Sequence, residues 1–199
     1  MKITDIKPQV KRQDRYSIYI DGKYTFSLSA NELIEQSIKI EQVLSEERLA
    51  ELKETAVDDK AYMRAVELIL RRQRSTWEME QYLKRKGYND NTITKILNML
   101  SIYSLLDDRD FACSWVENRR LLKNTSKRRL WQELKQKHVS DSIIAAALEN
   151  DEVDEKQILA EVIKKKRTQT RYQNQQKLIA YLLRQGFNYG DIKTALAEV

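Results

Sequence analysis

Apolar residues divide the chain into two kinds of pattern. Over residues 1–28 they alternate, with Tyr16, Ile18 and Ile20 on one run and Tyr24, Phe26 and Leu28 on the next. A period of two marks a strand with one buried face. Asp21-Gly22 between the runs is a hairpin turn signal, because a type I′ turn needs positive φ at both central residues. Ile3, Thr4 and Ile6, ahead of Pro8, offer a third strand over residues 2–7. A lone hairpin is marginal in water, so this segment is expected to rest on something helical. From Ser29 the spacing turns helical, with Ser29 and Glu32 set as a capping box. Leu33, Ile34, Ile38, Val43, Leu44, Leu49 and Leu52 then predict helix in two pieces, over about 30–37 and 46–56. We read residues 1–56 as a structural cap on a helical body.

The rest of the chain repeats with a period of about fifty residues. Leu83, Gly87, Tyr88, Asn89, Ile93 and Leu97 stand at the same spacing as Leu134, His138, Val139, Ser140, Ile144 and Leu148. They match again in Leu182, Gly186, Phe187, Asn188, Ile192 and Leu196. Each position has a physical task. The leucines are late core residues of a helix. Gly87, His138 and Gly186 stop it, since a left-handed residue satisfies the terminal carbonyls and Gly does this best. Histidine is among the residues that tolerate positive φ, so His138 is assigned a stop rather than a catalytic task. Tyr88, Val139 and Phe187 supply the apolar contact of such a stop. Asn89, Ser140 and Asn188 cap the next helix, whose i, i+4 pairs face the core.

Unit starts repeat as well. Val57-Asp58-Asp59-Lys60 matches Leu106-Asp107-Asp108-Arg109 and Val153-Asp154-Glu155-Lys156. Acids there are expected to cap a helix N-terminus. Tyr62/Val66, Phe111/Trp115 and Ile158/Val162 follow as core faces of first helices, and second helices are expected near Ser75, Ser126 and Gln173. Each helix should span roughly 12–15 residues, about 20 Å. The predicted fold is mainly α: a cap at 1–56, then three-helix repeats at 57–105, 106–152 and 153–199, stacked into an elongated curved array. Only 4 Gly and 1 Pro interrupt the chain, as a helical fold requires.

Charge sharpens this division. Residues 1–59 hold 9 Lys/Arg and 12 Asp/Glu, which leaves 27 and 18 of the totals of 36 and 30 for residues 60–199. A basic body points to a polyanionic partner, nucleic acid first. Arg71, Arg120 and Arg167 fall at equivalent positions near first-helix ends, where one cation each suits the helix dipole. The surplus around them is larger than a dipole needs: Arg72 and Arg74; Arg119, Lys123, Lys127, Arg128 and Arg129; Lys164, Lys165, Lys166 and Arg171. No acid occurs between Val162 and Gly190. Stacked repeats would line these fourteen cations along one side, and they are the candidate site. Tyr172, Tyr181 and Tyr189 could stack on bases or pack in the core.

Candidate chemistry is otherwise sparse. One cysteine, Cys113, allows no internal disulfide, and His138 is the sole histidine. Neither a Gly-rich phosphate loop nor a Ser–His–Asp set is present. Cys113 is expected to be buried beside core residues. An apolar run long enough to span a membrane, roughly 18 residues, is missing, and Met1–Val10 lacks a signal-peptide core. The expectation is a cytoplasmic, monomeric binding protein, not an enzyme.

With the repeat laid out, the chain resembles the RecX family, bacterial regulators of the RecA recombinase. Arg72-Gln73-Arg74-Ser75, Leu83-Lys84-Arg85-Lys86-Gly87-Tyr88, and Leu105-Leu106-Asp107-Asp108-Arg109-Asp110-Phe111-Ala112 followed by Arg119 carry the resemblance. The hairpin with Tyr16, Tyr19, Asp21-Gly22 and Phe26 is similar to that of the longer members. His138 departs from the glycine expected in the second unit. The resemblance implies binding to RecA and its filament on single-stranded DNA. It implies a block on filament growth, ATP hydrolysis, strand exchange and SOS repressor cleavage, without a cofactor. Some members also bind DNA, single- or double-stranded. The alternatives are a RecA-independent nucleic-acid-binding repeat and a protein scaffold whose charge only keeps it soluble.

Overall fold

A computed structural model describes residues 1–10, 12, 14–151 and 153–198. The chain forms two compact units, Met1–Gln73 with Met79–Leu106, and Arg74–Glu78 with the chain from Asp107 onward.

In the first unit, strands β1 (Ile3–Pro8), β2 (Arg15–Ile20) and β3 (Lys23–Ser29) form an antiparallel sheet in the order β1-β2-β3. The turn is of the predicted kind, with φ of +48° at Asp21 and +78° at Gly22. Ile3, Ile18, Ile20, Phe26 and Leu28 bury one face of the sheet against Ile38, Leu44, Leu49, Leu52 and Ala56. Ser29 caps α1 (Ala30–Glu35) by accepting from the Glu32 amide at 3.2 Å.

The next helix departs from expectation. Helix α2 runs unbroken from Glu46 to Arg71, so residue 57 does not start a helix. No Gly or Pro interrupts this stretch. Asp58 and Asp59 are therefore not N-terminal caps. Asp58 accepts from Thr92 Oγ1 at 2.9 Å and from Lys95 Nζ at 2.5 Å. Asp59 forms a buried ion pair with Arg15 at 2.8 Å and accepts from the Ser29 amide at 2.9 Å. One helix thus contributes Leu52 and Ala56 to the sheet's core, and Ala61 and Ala65 to the core of repeat 1. The latter core is completed from α3 (Thr76–Arg85) and α4 (Asp90–Ile102) by Met79, Leu83, Ile93, Ile96 and Leu100.

The second unit holds α5 (Asp108–Leu122), α6 (Lys127–Gln136), α7 (Asp141–Glu149), α8 (Glu155–Arg167), α9 (Gln175–Arg184) and α10 (Tyr189–Glu198). A 3₁₀ turn at Thr170–Tyr172 precedes α9, whose cap is Asn174 rather than a residue near Gln173. Each of these two repeats has its own core, around Phe111, Leu130, Leu134 and Ile144 and around Ile158, Leu178, Leu182 and Phe187.

All three repeats stop their second helix in the same way. Gly87, His138 and Gly186 have φ of +80°, +57° and +92°. The amides of Tyr88, Val139 and Phe187 reach back to the carbonyls of Leu83, Leu134 and Leu182 at 3.4, 3.2 and 3.2 Å. Together with the Gly87, His138 and Gly186 amides on the carbonyls of Lys84, Lys135 and Leu183, these are Schellman stops. Asn89 then caps α4, whereas Ser140 makes no side-chain cap bond at α7.

In repeats 1 and 2 a hydroxyl at the start of the second helix serves two helix ends at once. Ser126 accepts from the Arg129 amide at 3.2 Å and donates to the Gln185 carbonyl at 2.7 Å, joining the start of α6 to the end of α9. Ser75, within the segment that groups with this unit, accepts from the Glu78 amide and donates to the Lys137 carbonyl at 2.9 Å. Two orphan groups of helix termini are satisfied by one atom. The acids beside the joints complete them: Asp108 accepts from the Thr76 amide at 2.7 Å and Glu155 from the Lys127 amide at 2.9 Å. Gly186 is confined to glycine by this approach, since a Cβ there would lie 2.6 Å from Ser126 Oγ. At the corresponding joint, His138 instead stacks on Trp77, ring centroids 4.1 Å apart. No helix of the described residues is long and apolar enough to cross a membrane.

Candidate nucleic-acid interface

The Ser126 joint sets the start of α6 against the end of α9, and a basic cleft of about 590 Å³ opens beside it. Arg119 from α5, Lys123 beyond it, Arg129 from α6 and Lys165 and Lys166 from α8 all line this cleft. Five of the predicted cations are therefore brought together. Glu133 is the one carboxylate among the lining residues. It is already held by Arg119 Nε at 2.7 Å, Arg129 Nε at 3.5 Å and the Trp115 indole N–H at 3.0 Å. The Arg119 guanidinium also lies 4.7 Å from the Trp115 ring centroid. Leu121, Leu122 and Tyr181 supply the apolar part of the wall.

The remaining predicted cations are placed differently. Arg120 turns inward. Its Nε and Nη2 bond Asp151 at 3.0 and 2.5 Å, its Nη1 donates to the Thr125 carbonyl, and both charged side chains are more than nine-tenths buried. A charge so enclosed cannot be offered to a partner, so Arg120 belongs to the fold of repeat 2 and not to the site. Lys127, at the start of α6, has its ammonium 3.3 Å from the Asp151 carbonyl. Arg128 is exposed on a separate cavity with Gly186, Asn188 and Tyr189.

At the end of α8 the picture is the reverse. Lys164 and Lys165 are exposed, and Lys166 and Arg167 half-exposed. Among the described residues none of the four, nor Arg171, has a carboxylate partner. Lys166 lies 4.9 and 5.5 Å from the Tyr181 and Tyr172 ring centroids, which are 5.0 Å from each other. Tyr172 and Tyr181 thus pack on the repeat 3 core, while Tyr189 is exposed. Arg71 and Arg72 end α2 in the first unit, both exposed; Arg74 belongs with the second.

The tempting chemical residues take structural positions. Asp107 caps α5, accepting from the Arg109 amide at 2.6 Å, and Asp154 caps α8. Cys113 is half-buried at the edge of the repeat 2 core rather than within it. Sequence reasoning missed Leu121 and Leu122, which are 84% and 77% exposed. Leu121 carried a signal, since it lies out of phase with the Phe111/Trp115 core face; Leu122 lies in phase with that face and gave none, being the last residue of α5.

Comparison with known proteins places this architecture. A regulatory protein RecX from Bacillus licheniformis is 33% identical over 201 residues, covering 98% of this chain and 76% of that protein. The chain belongs to the RecX family. Profiles of the RecX N-terminal domain and of the first, second and third RecX three-helix domains match residues 1–45, 61–100, 107–148 and 153–196. A regulatory protein RecX from Clostridium botulinum is 29% identical over 99% of this chain and 95% of its own length. A crystal structure of regulatory protein RecX superposes with a TM-score of 0.73 at 26% identity, over 97% of this chain and 98% of that one. The RecX structure from Lactobacillus salivarius, 23% identical, shares the fold with a TM-score of 0.61 over 71% of this chain and 95% of its own. The basic cleft is thus built by the second and third RecX three-helix domains.

Proposed function

We propose that this RecX-family protein binds the RecA recombinase and its filament on single-stranded DNA. In the cytoplasm, as a non-enzymatic monomer, it restrains filament growth, ATP hydrolysis, strand exchange and cleavage of the SOS repressor. The observation that supports this most is the set of cations at the end of α8 without a carboxylate partner among the described residues, beside a cleft whose one lining carboxylate is already neutralised. Such a surface takes a polyanion without reading sequence, as a protein on a DNA-containing filament must. Lys123, Lys164, Lys165, Lys166, Arg167 and Arg171 carry the binding, with Arg119 and Arg129 orienting the cleft. Arg71, Arg72 and Arg74 of repeat 1 are proposed as separate contacts to the same target.

The test is a titration into RecA on single-stranded DNA, following ATP hydrolysis at several salt concentrations. Inhibition that weakens steeply with salt is expected. Salt-sensitive binding to bare DNA without any effect on RecA would select the RecA-independent nucleic-acid-binding protein instead.

A further inference from the structure

The basic cleft has a neighbour of different chemistry. On the other side of Leu121 lies a slot of about 450 Å³. Cys113, Val116, Leu121, Ala147 and Val153 make it largely aliphatic, with Glu117 and the buried Arg120–Asp151 pair at its polar end. Leu121 lines both hollows. Leu121 and Leu122 are also strongly exposed at the ridge between them. Single exposed leucines are ordinary; a contiguous exposed pair bordering an apolar slot marks an interaction surface.

We infer that slot and cleft together dock a protein segment in which a bulky apolar side chain stands beside carboxylates. The apolar residue enters the slot over Val116 and Ala147. The carboxylates cross the Leu121–Leu122 ridge to meet Lys123, Lys165 and Lys166. Charge complementarity selects an anionic occupant, and the slot decides its class. Bases bind single-strand platforms by stacking on aromatic rings, and among the described residues no aromatic ring lines the slot. A buried apolar anchor inside a charged rim is instead the anatomy of a protein interface. This assignment rests on the proposed function and deepens it: the slot grips the protein part of the target, and the free α8 cations outside the cleft serve its DNA.

Three measurements on the full chain test it. Leu121→Ala with Leu122→Ala removes the ridge, and Val153→Trp fills the slot from its exposed rim. Thermal unfolding verifies that each variant folds, and the exposed leucine pair covers the case in which Val153→Trp does not. Affinity for RecA without DNA should fall at least tenfold in both variants, while in Val153→Trp, whose site lies outside the basic cleft, affinity for a single-stranded oligonucleotide stays within twofold. Cys113, the sole cysteine, reports on the slot directly: its labelling by a maleimide should slow at least fivefold with RecA and not with the oligonucleotide. Undiminished RecA binding by folded variants overturns the assignment. A parallel loss of oligonucleotide binding by Val153→Trp makes nucleic acid the occupant, and altered sedimentation of the variants alone makes it a second copy; either overturns it too. Failure of the wild-type protein to bind RecA would instead refute the proposed function itself, and this inference with it.

Discussion

At the end of α5, Arg119 meets Glu133 and Arg120 is sealed against Asp151; at the end of α8, Lys164, Lys165 and Arg167 meet no carboxylate among the described residues. Arg119 and Arg120 stand at the positions of Lys166 and Arg167, and the last turn of α8 adds Lys164 and Lys165. The difference between the clusters comes from acids supplied by other elements, 14 residues away for Glu133 and 31 for Asp151. The same residue type at the same repeat position therefore holds one repeat together and leaves the other charged. Cation count alone does not locate a binding surface; the cations still free after folding do.

The largest effect that could undo this contrast is on stability. Asp151→Ala strands the Arg120 charge in a buried site and should cost about 3–5 kcal/mol, read from urea unfolding. Lys165→Ala should change stability by less than about 0.5 kcal/mol, as for an exposed residue without a partner. Equal effects would erase the distinction between the clusters. Binding inverts the order. Replacing Lys164, Lys165, Lys166 and Arg167 by Gln should weaken single-stranded DNA binding and flatten its salt dependence, by about 0.7 in logarithmic slope for each phosphate no longer neutralised.

A smaller effect refines the contrast. Glu133→Gln removes the one carboxylate lining the cleft and frees Arg119 and Arg129. Binding of RecA should tighten, by up to about 1 kcal/mol for a partly exposed pair, read by fluorescence anisotropy; weaker binding would show that the pair orients the cleft more than it neutralises it. The smallest effect concerns the joint at Ser75. His138→Gly loses a ring stack worth about 0.5–1.5 kcal/mol and relieves a left-handed backbone worth about 1–2 kcal/mol. The net change in thermal unfolding should stay within about 1 kcal/mol, against a marked loss for Gly186→Ala, whose Cβ would collide with Ser126.

What was legible in the sequence was what is local. The stops at Gly87, His138 and Gly186 are set by residues within one turn, and their shared spacing made even the histidine readable as a stop. The hairpin turn at Asp21-Gly22 is local in the same way. Asp58-Asp59 was misassigned because its alignment with Asp107-Asp108 is real while its surroundings differ: Arg15 and Ser29, far along the chain, hold Asp59 inside a continuous helix. Arg120 was placed on the surface for the same reason, since nothing near it in sequence announces Asp151. The paired role of Ser75 and Ser126 shows in sequence only as a cap, because the second bond goes to a carbonyl about sixty residues on.

On this reading the cations of repeat 3 that meet no carboxylate among the described residues, and not the paired ones of repeat 2, carry regulation. The decisive experiment compares RecA ATP hydrolysis on single-stranded DNA under three proteins: wild type, the Lys164/Lys165/Lys166/Arg167→Gln variant, and an Arg119→Gln variant, each verified as folded. We expect the fourfold variant to lose inhibition and its salt dependence, while Arg119→Gln retains most of both. Full inhibition by the folded fourfold variant would contradict that assignment.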